Sequence, residues 1–155
     1  MKKFIIKILL LSVLPFSLFA EKVQITSESF YARDAEKQVH FINDVLVKQG
    51  LSWIHSNKVI VYFNDNNETI QYDAIGEATY EVFKGKNHYK GHSDKVTYYP
   101  ETSIYMFTGK AVIFDIANNR EVNGNIVVIN SITGDSDVKS AGKEPVKFTF
   151  DVGGK

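Results

Sequence analysis

The sequence predicts an all-β protein. Three observations carry that prediction: apolar residues recur at alternate positions along most of the chain, clusters of Asn, Asp, Gly and Pro punctuate the alternation, and no segment offers a well-formed amphipathic helix. Alternation at period two puts one set of side chains on a single sheet face, which is the face that must be buried. At 155 residues the chain has room for one domain. Its 18 Lys+Arg balance 18 Asp+Glu at a pI near 6.9, so it lacks the basic excess that a nucleic-acid groove requires. With 44% hydrophobic and 23% charged residues the composition is that of a folded globular protein. The absence of cysteine excludes disulfides, thiolate metal ligands, a thiol nucleophile and a lipidated cysteine.

Taken in order, the chain opens with basic Met1-Lys2-Lys3, an apolar run Ile8–Leu14 broken only by Ser12, and Leu18-Phe19-Ala20 ending on a small residue. This pattern is a cleaved export signal over residues 1–20, leaving a mature domain over 21–155. A membrane span needs about 20 apolar residues, and Lys7 and Pro15 interrupt this one. Cleavage removes Lys2, Lys3 and Lys7, so the mature chain is mildly acidic and extracytoplasmic.

Val23 and Ile25 begin the first strand. Arg33–Ile42 carries Ala35, Val39 and Ile42 at helical spacing, but so short a segment without a second apolar row is a marginal helix, and a turn is expected at Asp34–Lys37. Strands follow at Val45, Val47; at Ala78, Tyr80, Val82; at Val112, Phe114, Ile116; and at Val146, Phe148, Phe150, Val152. Turns are expected at Asn64–Asn67, Lys84–Asn87, Tyr99–Glu101, Ala117–Arg120 and Thr133–Asp135, whose residue types supply positive or preset φ. The segment 135–155 is open at this level between a last strand, a cap and a flexible tail.

An internal repeat is visible. His55-Ser56-Asn57-Lys58-Val59 returns 37 residues later as His92-Ser93-Asp94-Lys95-Val96, and Asn43-Asp44-Val45, Gly76-Glu77-Ala78 and Gly109-Lys110-Ala111 recur at intervals of 33. These last three triplets are expected to open successive strands. A unit this short cannot bury its own apolar face, so the copies must stack into one core with two open ends.

The order of Asn43-Asp44-Val45-Leu46-Val47-Lys48-Gln49-Gly50, Ile54-His55-Ser56-Asn57-Lys58-Val59, Ala74-Ile75-Gly76, Tyr89-Lys90-Gly91-His92-Ser93-Asp94 and Thr108-Gly109-Lys110-Ala111 resembles the OstA-like family of periplasmic lipopolysaccharide-transport proteins, over roughly Val23–Ile132. The chain departs from the family pattern at Asn43, where Gly is usual, at His55-Ser56, where Ala is common, and from Asp135 onward. The resemblance implies a twisted, open, V-shaped β-jellyroll of solenoid-like stacked antiparallel strands. It also implies a non-catalytic role without cofactor. The fold would bury lipid A acyl chains of lipopolysaccharide and join similar domains of inner- and outer-membrane components, with head-to-tail copies of itself in between.

Apolar rows at Val45, Val47; Val59, Val61, Phe63; Tyr80, Val82; Val96, Tyr98; Ile104, Met106; Val112, Phe114; and Ile126, Val128 are expected to face inward. They suit a lipid trough or a closed dry core equally. The strands holding Val23 and Ile25, and Phe148 and Phe150, are expected to be the free edges where partners add strands. No catalytic set stands out. His88 and His92 are four apart in a strand pattern without a third ligand; Gly91-His92-Ser93-Asp94 places neighbours on opposite faces; Asn64–Glu68 lacks the glycine and distant Glu of a calcium loop; and Glu77 and Glu81 suit a soluble strand surface. The leading reading is a periplasmic lipopolysaccharide carrier. The alternatives are a repeat-built cell-envelope scaffold without lipid cargo and, less well supported, an extracytoplasmic hydrolase.

Overall fold

The computed structural model describes residues 21–153, so the export signal expected over 1–20 lies outside the described residues. Ten strands form one antiparallel sheet: β1 (Val23–Thr26), β2 (Ser29–Arg33), β3 (Gln38–Gln49), β4 (Ser52–Phe63), β5 (Thr69–Lys84), β6 (Asn87–Tyr99), β7 (Ile104–Asp115), β8 (Arg120–Asn130), β9 (Ser136–Lys139) and β10 (Lys147–Phe150). Their order is β1-β3-β4-β5-β6-β7-β8-β10, with β2 also on β3 and β9 also on β8. Each of the five turn clusters joins consecutive strands. Asp34–Glu36 is a single 3-10 turn ended by Lys37 at φ 52°, in place of a helix.

The sheet is not flat, and the repeat explains why. Register slips by one residue in every adjacent pair from β3 to β8, along a line across the strands at Asn43-Asp44, Gly76-Glu77 and Gly109-Lys110. These pairs were expected to open strands; they sit instead in the middle of β3, β5 and β7. In each pair both residues have positive φ: 62° and 49°, 88° and 47°, 83° and 46°. Two such residues opposite one on the neighbour form a bulge that bends the strand. Glycine suits the first position because an added Cβ at Gly76 would lie 2.8 Å from the Asn57 amide, and one at Gly109 would run into the Asp94 carboxylate. The recurring serine also has a task there. Ser56 Oγ donates to the Lys58 carbonyl at 3.0 Å, and Ser93 Oγ to that of Lys95 at 2.9 Å, satisfying backbone oxygens where the ladder is interrupted.

The bulge line divides the sheet into two leaves. Leaf A holds β2, β9 and the β3–β8 segments 38–42, 58–63, 69–75, 95–99, 104–108 and 126–130. Leaf B holds β1, β10 and the remaining segments. The leaves fold toward each other, and the core lies between them: Val45, Ala78, Tyr80 and Ile113 of leaf B pack in one cluster with Val59, Val96, Phe107 and Val127 of leaf A. Among the described residues no strand pairing joins β1 to β10, and the sheet is open at both edges.

Candidate functional site

The inward surface of the two leaves forms a groove. At its β1 end the leaves enclose a cavity of about 110 Å³, lined from leaf A by Val59, Tyr72, Ala74, Val96, Tyr98, Pro100 and Tyr105, and from leaf B chiefly by Val23, Val47, Ile54 and Val82, with Gln49 and Ser52 at its polar margin. A ladder of rings crosses leaf A: Tyr72 to Tyr98 at 6.1 Å between centroids, Tyr98 to Tyr105 at 4.3 Å, and Tyr105 to Phe107 at 6.1 Å. Phe107 then meets Tyr80 of leaf B at 4.5 Å, across the groove. Burial pushes the Tyr105 and Tyr80 hydroxyls well above the usual phenol range, so both rings are neutral and act as apolar surface with a polar tip. Beyond this contact a second cavity of about 110 Å³ opens toward β10, lined by Tyr89, Ile113, Val122, Val127, Ile129 and Phe148 with Asp115 and Arg120 at its margin. Asn87 Nδ2 donates to the Ser131 carbonyl at 3.1 Å, tying leaf B to leaf A at that end.

The structure places Val45, Val47, Val59, Val61, Phe63, Tyr80, Val82, Val96 and Tyr98 on the inward face, as their contacts with the core or cavity show. It does not place Ile104, Met106, Val112, Phe114, Ile126 or Val128 there. Val96 pairs with Phe107 and Tyr98 with Tyr105, which turns Ile104 and Met106 to the outer face, beside Tyr99 and Thr97. Met106 in turn pairs with Val128, and Thr108 with Ile126. Past the bulge, Gly91 pairs with Ile113, which is 2% exposed, leaving Val112 and the half-exposed Phe114 outside. The physical reason is that Ile104–Phe107 and Ile126–Ile129 are unbroken apolar runs, in which alternation cannot choose a face; pairing with β6 chooses it. Tyr72, Tyr105, Phe107, Ile113, Val122, Val127 and Ile129 are among the inward residues that periodicity missed, with Ile54, Ala74 and Tyr89.

Val23 and Ile25 lie on edge strand β1, paired to Gln49 and Val47, and Phe148 and Phe150 lie on edge strand β10, paired to Val122 and Arg120. Phe148 and Phe150 are each 56% exposed. The segment after Asp135 is therefore strand-forming, with β9 and β10 separated by a loop.

The polar constellations lie on the outer surface or in turns, apart from Ser93. His88 Nε2 lies 2.9 Å from a Glu81 oxygen and the Trp53 indole donates to the other at 3.3 Å; the His88 contact leads in holding the Glu81 carboxyl below its usual range. His55 lies 2.6 Å from Asp44. Ser93 points into the core whereas His92 is exposed on the opposite face, so the two do not converge. Asn64 Oδ1 accepts from the Asn66 and Glu68 amides and closes a hairpin turn. Glu77 is exposed at its bulge. Among the described residues no group of three metal-ligating side chains assembles.

Comparison with known proteins gives a consistent result. A family model described as LptA/(LptD N-terminal domain) LPS transport protein matches residues 24–135. No functionally curated protein matches the chain. Among solved structures, the fold is similar to that of LptH from Pseudomonas aeruginosa, described as the LptA homologous periplasmic component of the lipopolysaccharide transport device, with a TM-score of 0.72 at 16% identity over 84% of this chain and 96% of that one.

Proposed function

Because the chain belongs to the LptA/LptD N-terminal-domain family of periplasmic lipopolysaccharide-transport proteins, whose members transport without catalysing a reaction, we propose that its groove holds the acyl chains of lipopolysaccharide during passage between the membranes. The observation that supports this most is the apolar cavity between the leaves at the β1 end. Each methylene removed from water contributes about 0.8 kcal/mol, so a chain of a dozen carbons gains on the order of 10 kcal/mol before ordering costs. At about 110 Å³ the cavity is below the roughly 300 Å³ at which ligand pockets begin, so loading requires the leaves to part. A single sheet hinged on a line of bulges is suited to that movement.

The two edges suit the second half of the task. The β1–β2 edge and the β9–β10 edge each offer backbone donors and acceptors to an added strand. Through them the protein joins similar domains of inner- and outer-membrane components, and further copies of itself head to tail. The experiment is equilibrium binding of fluorescent lipopolysaccharide to Val47→Asp, on the inward face, and to Val112→Asp, on the outward face. Lost binding in the first with retained binding in the second supports the carrier. Equal binding by both folded variants contradicts it and favours the scaffold.

A further inference from the structure

We propose that Tyr80 and Phe107 form an internal gate that divides the groove into a receiving chamber at the β1 end and a releasing chamber at the β10 end. This rests on the carrier reading and adds a step to it. Two inward cavities of similar size lie along the groove, one beside Val47, Tyr72 and Tyr98, the other beside Tyr89, Val122 and Phe148. Neither includes Tyr80 or Phe107 in its lining. These two side chains meet across the leaves at 4.5 Å and are 0% and 1% exposed, so they fill the space between the chambers. The chambers also differ in character. The first is lined mostly by apolar and aromatic side chains, whereas the second carries Asp115 and Arg120 at its margin, and at its end the Asn87–Ser131 hydrogen bond links the leaves.

A lipid entering at the β1 end therefore fills the first chamber and stops at the aromatic pair. Advancing requires the rings to separate, which requires the leaves to move apart. The Tyr80 hydroxyl donates to the Val112 carbonyl at a long 3.5 Å and also meets the Ser93 side chain, both within its own leaf or at the bulge. No hydrogen bond therefore ties its ring to Phe107, and the two rings are held together by packing alone, free to separate when the leaves part. Such a gate favours discrete loaded states over free sliding.

The test places a photoreactive phenylalanine analogue at Tyr72 in one set of molecules and at Val122 in another, each incubated with purified lipopolysaccharide and no partner protein. In the otherwise native chain, crosslinking is expected at 72 at least five-fold above that at 122. Phe107→Ala should raise the yield at 122 toward that at 72. Phe107→Leu, which keeps most of the apolar bulk, provides a variant whose folding is secure and should give an intermediate ratio. Equal yields at both positions in the native chain, or a ratio unchanged in folded Phe107→Leu and Phe107→Ala, would overturn the gate while leaving the carrier intact. No crosslink at either position would overturn the carrier reading itself and the gate with it.

Discussion

The assignment of faces in β7 makes a quantitative prediction from two adjacent residues. Ile113 is 2% exposed and packs in the core, whereas Val112 is half-buried on the other side of the same strand. Ile113→Ala removes every side-chain carbon beyond Cβ, a transfer loss of about 2.4 kcal/mol, and the cavity left in the packed cluster brings the total to roughly 3 to 4 kcal/mol. Val112→Ala removes two methyl groups that are only partly covered and should cost about 1 kcal/mol. For a domain of this size the first change lowers the melting temperature by about 10 °C and the second by about 3 °C. Thermal unfolding followed by circular dichroism reads both. A larger loss for Val112→Ala than for Ile113→Ala would refute the register of β7 against β6 and restore the face that alternation alone suggests.

Further outcomes follow from other parts of the fold. Ser93→Ala leaves the part-buried Lys95 carbonyl at the bulge without its hydroxyl partner and should cost about 1 kcal/mol in urea unfolding, against a smaller effect for Ser27→Ala, whose hydrogen bond to the Ser29 carbonyl is exposed. Burial, followed by the Lys58 charge, lowers the His40 pKa from 6.5, so the folded state prefers neutral imidazole; its contribution is complete above pH 6.5 and is lost as pH falls through and below that value. The pH dependence of stability just below 6.5 should therefore weaken in His40→Gln. Gly91→Ala drives a Cβ into the Val112 carbonyl and should destabilise by about 2 kcal/mol or more. A chain ending at Ser140 loses β10, all four residues of which are exposed, and should melt within a few degrees of the whole protein and still bind fluorescent lipopolysaccharide.

The fold was largely legible because its main determinants are local. Alternation at Ala78, Tyr80 and Val82 and the Asn-rich turn at Asn64–Asn67 identify strands and hairpins without knowledge of neighbours. The repeat identified stacking but not its mechanism: the 33-residue spacing of Asn43, Gly76 and Gly109 marks a bend within strands, and a glycine preceding a charged residue reads equally well as a strand start. The candidate site was legible where one face is polar, as in β5, and illegible where both are apolar. Met106 and Phe107 are equally plausible core residues in isolation, and only the pairing of Val96 with Phe107 separates them. That information resides in β6 and reaches β7 through the sheet.

The central claim, that lipid occupies the space between the leaves, is tested most directly by native mass spectrometry of the protein after incubation with lipopolysaccharide and removal of excess, without detergent at any stage. The account predicts a complex with one lipopolysaccharide mass added per chain, weakened by Val47→Asp and retained by Val112→Asp. A bare polypeptide mass for the unmodified protein, or an adduct indifferent to which face is altered, would contradict it.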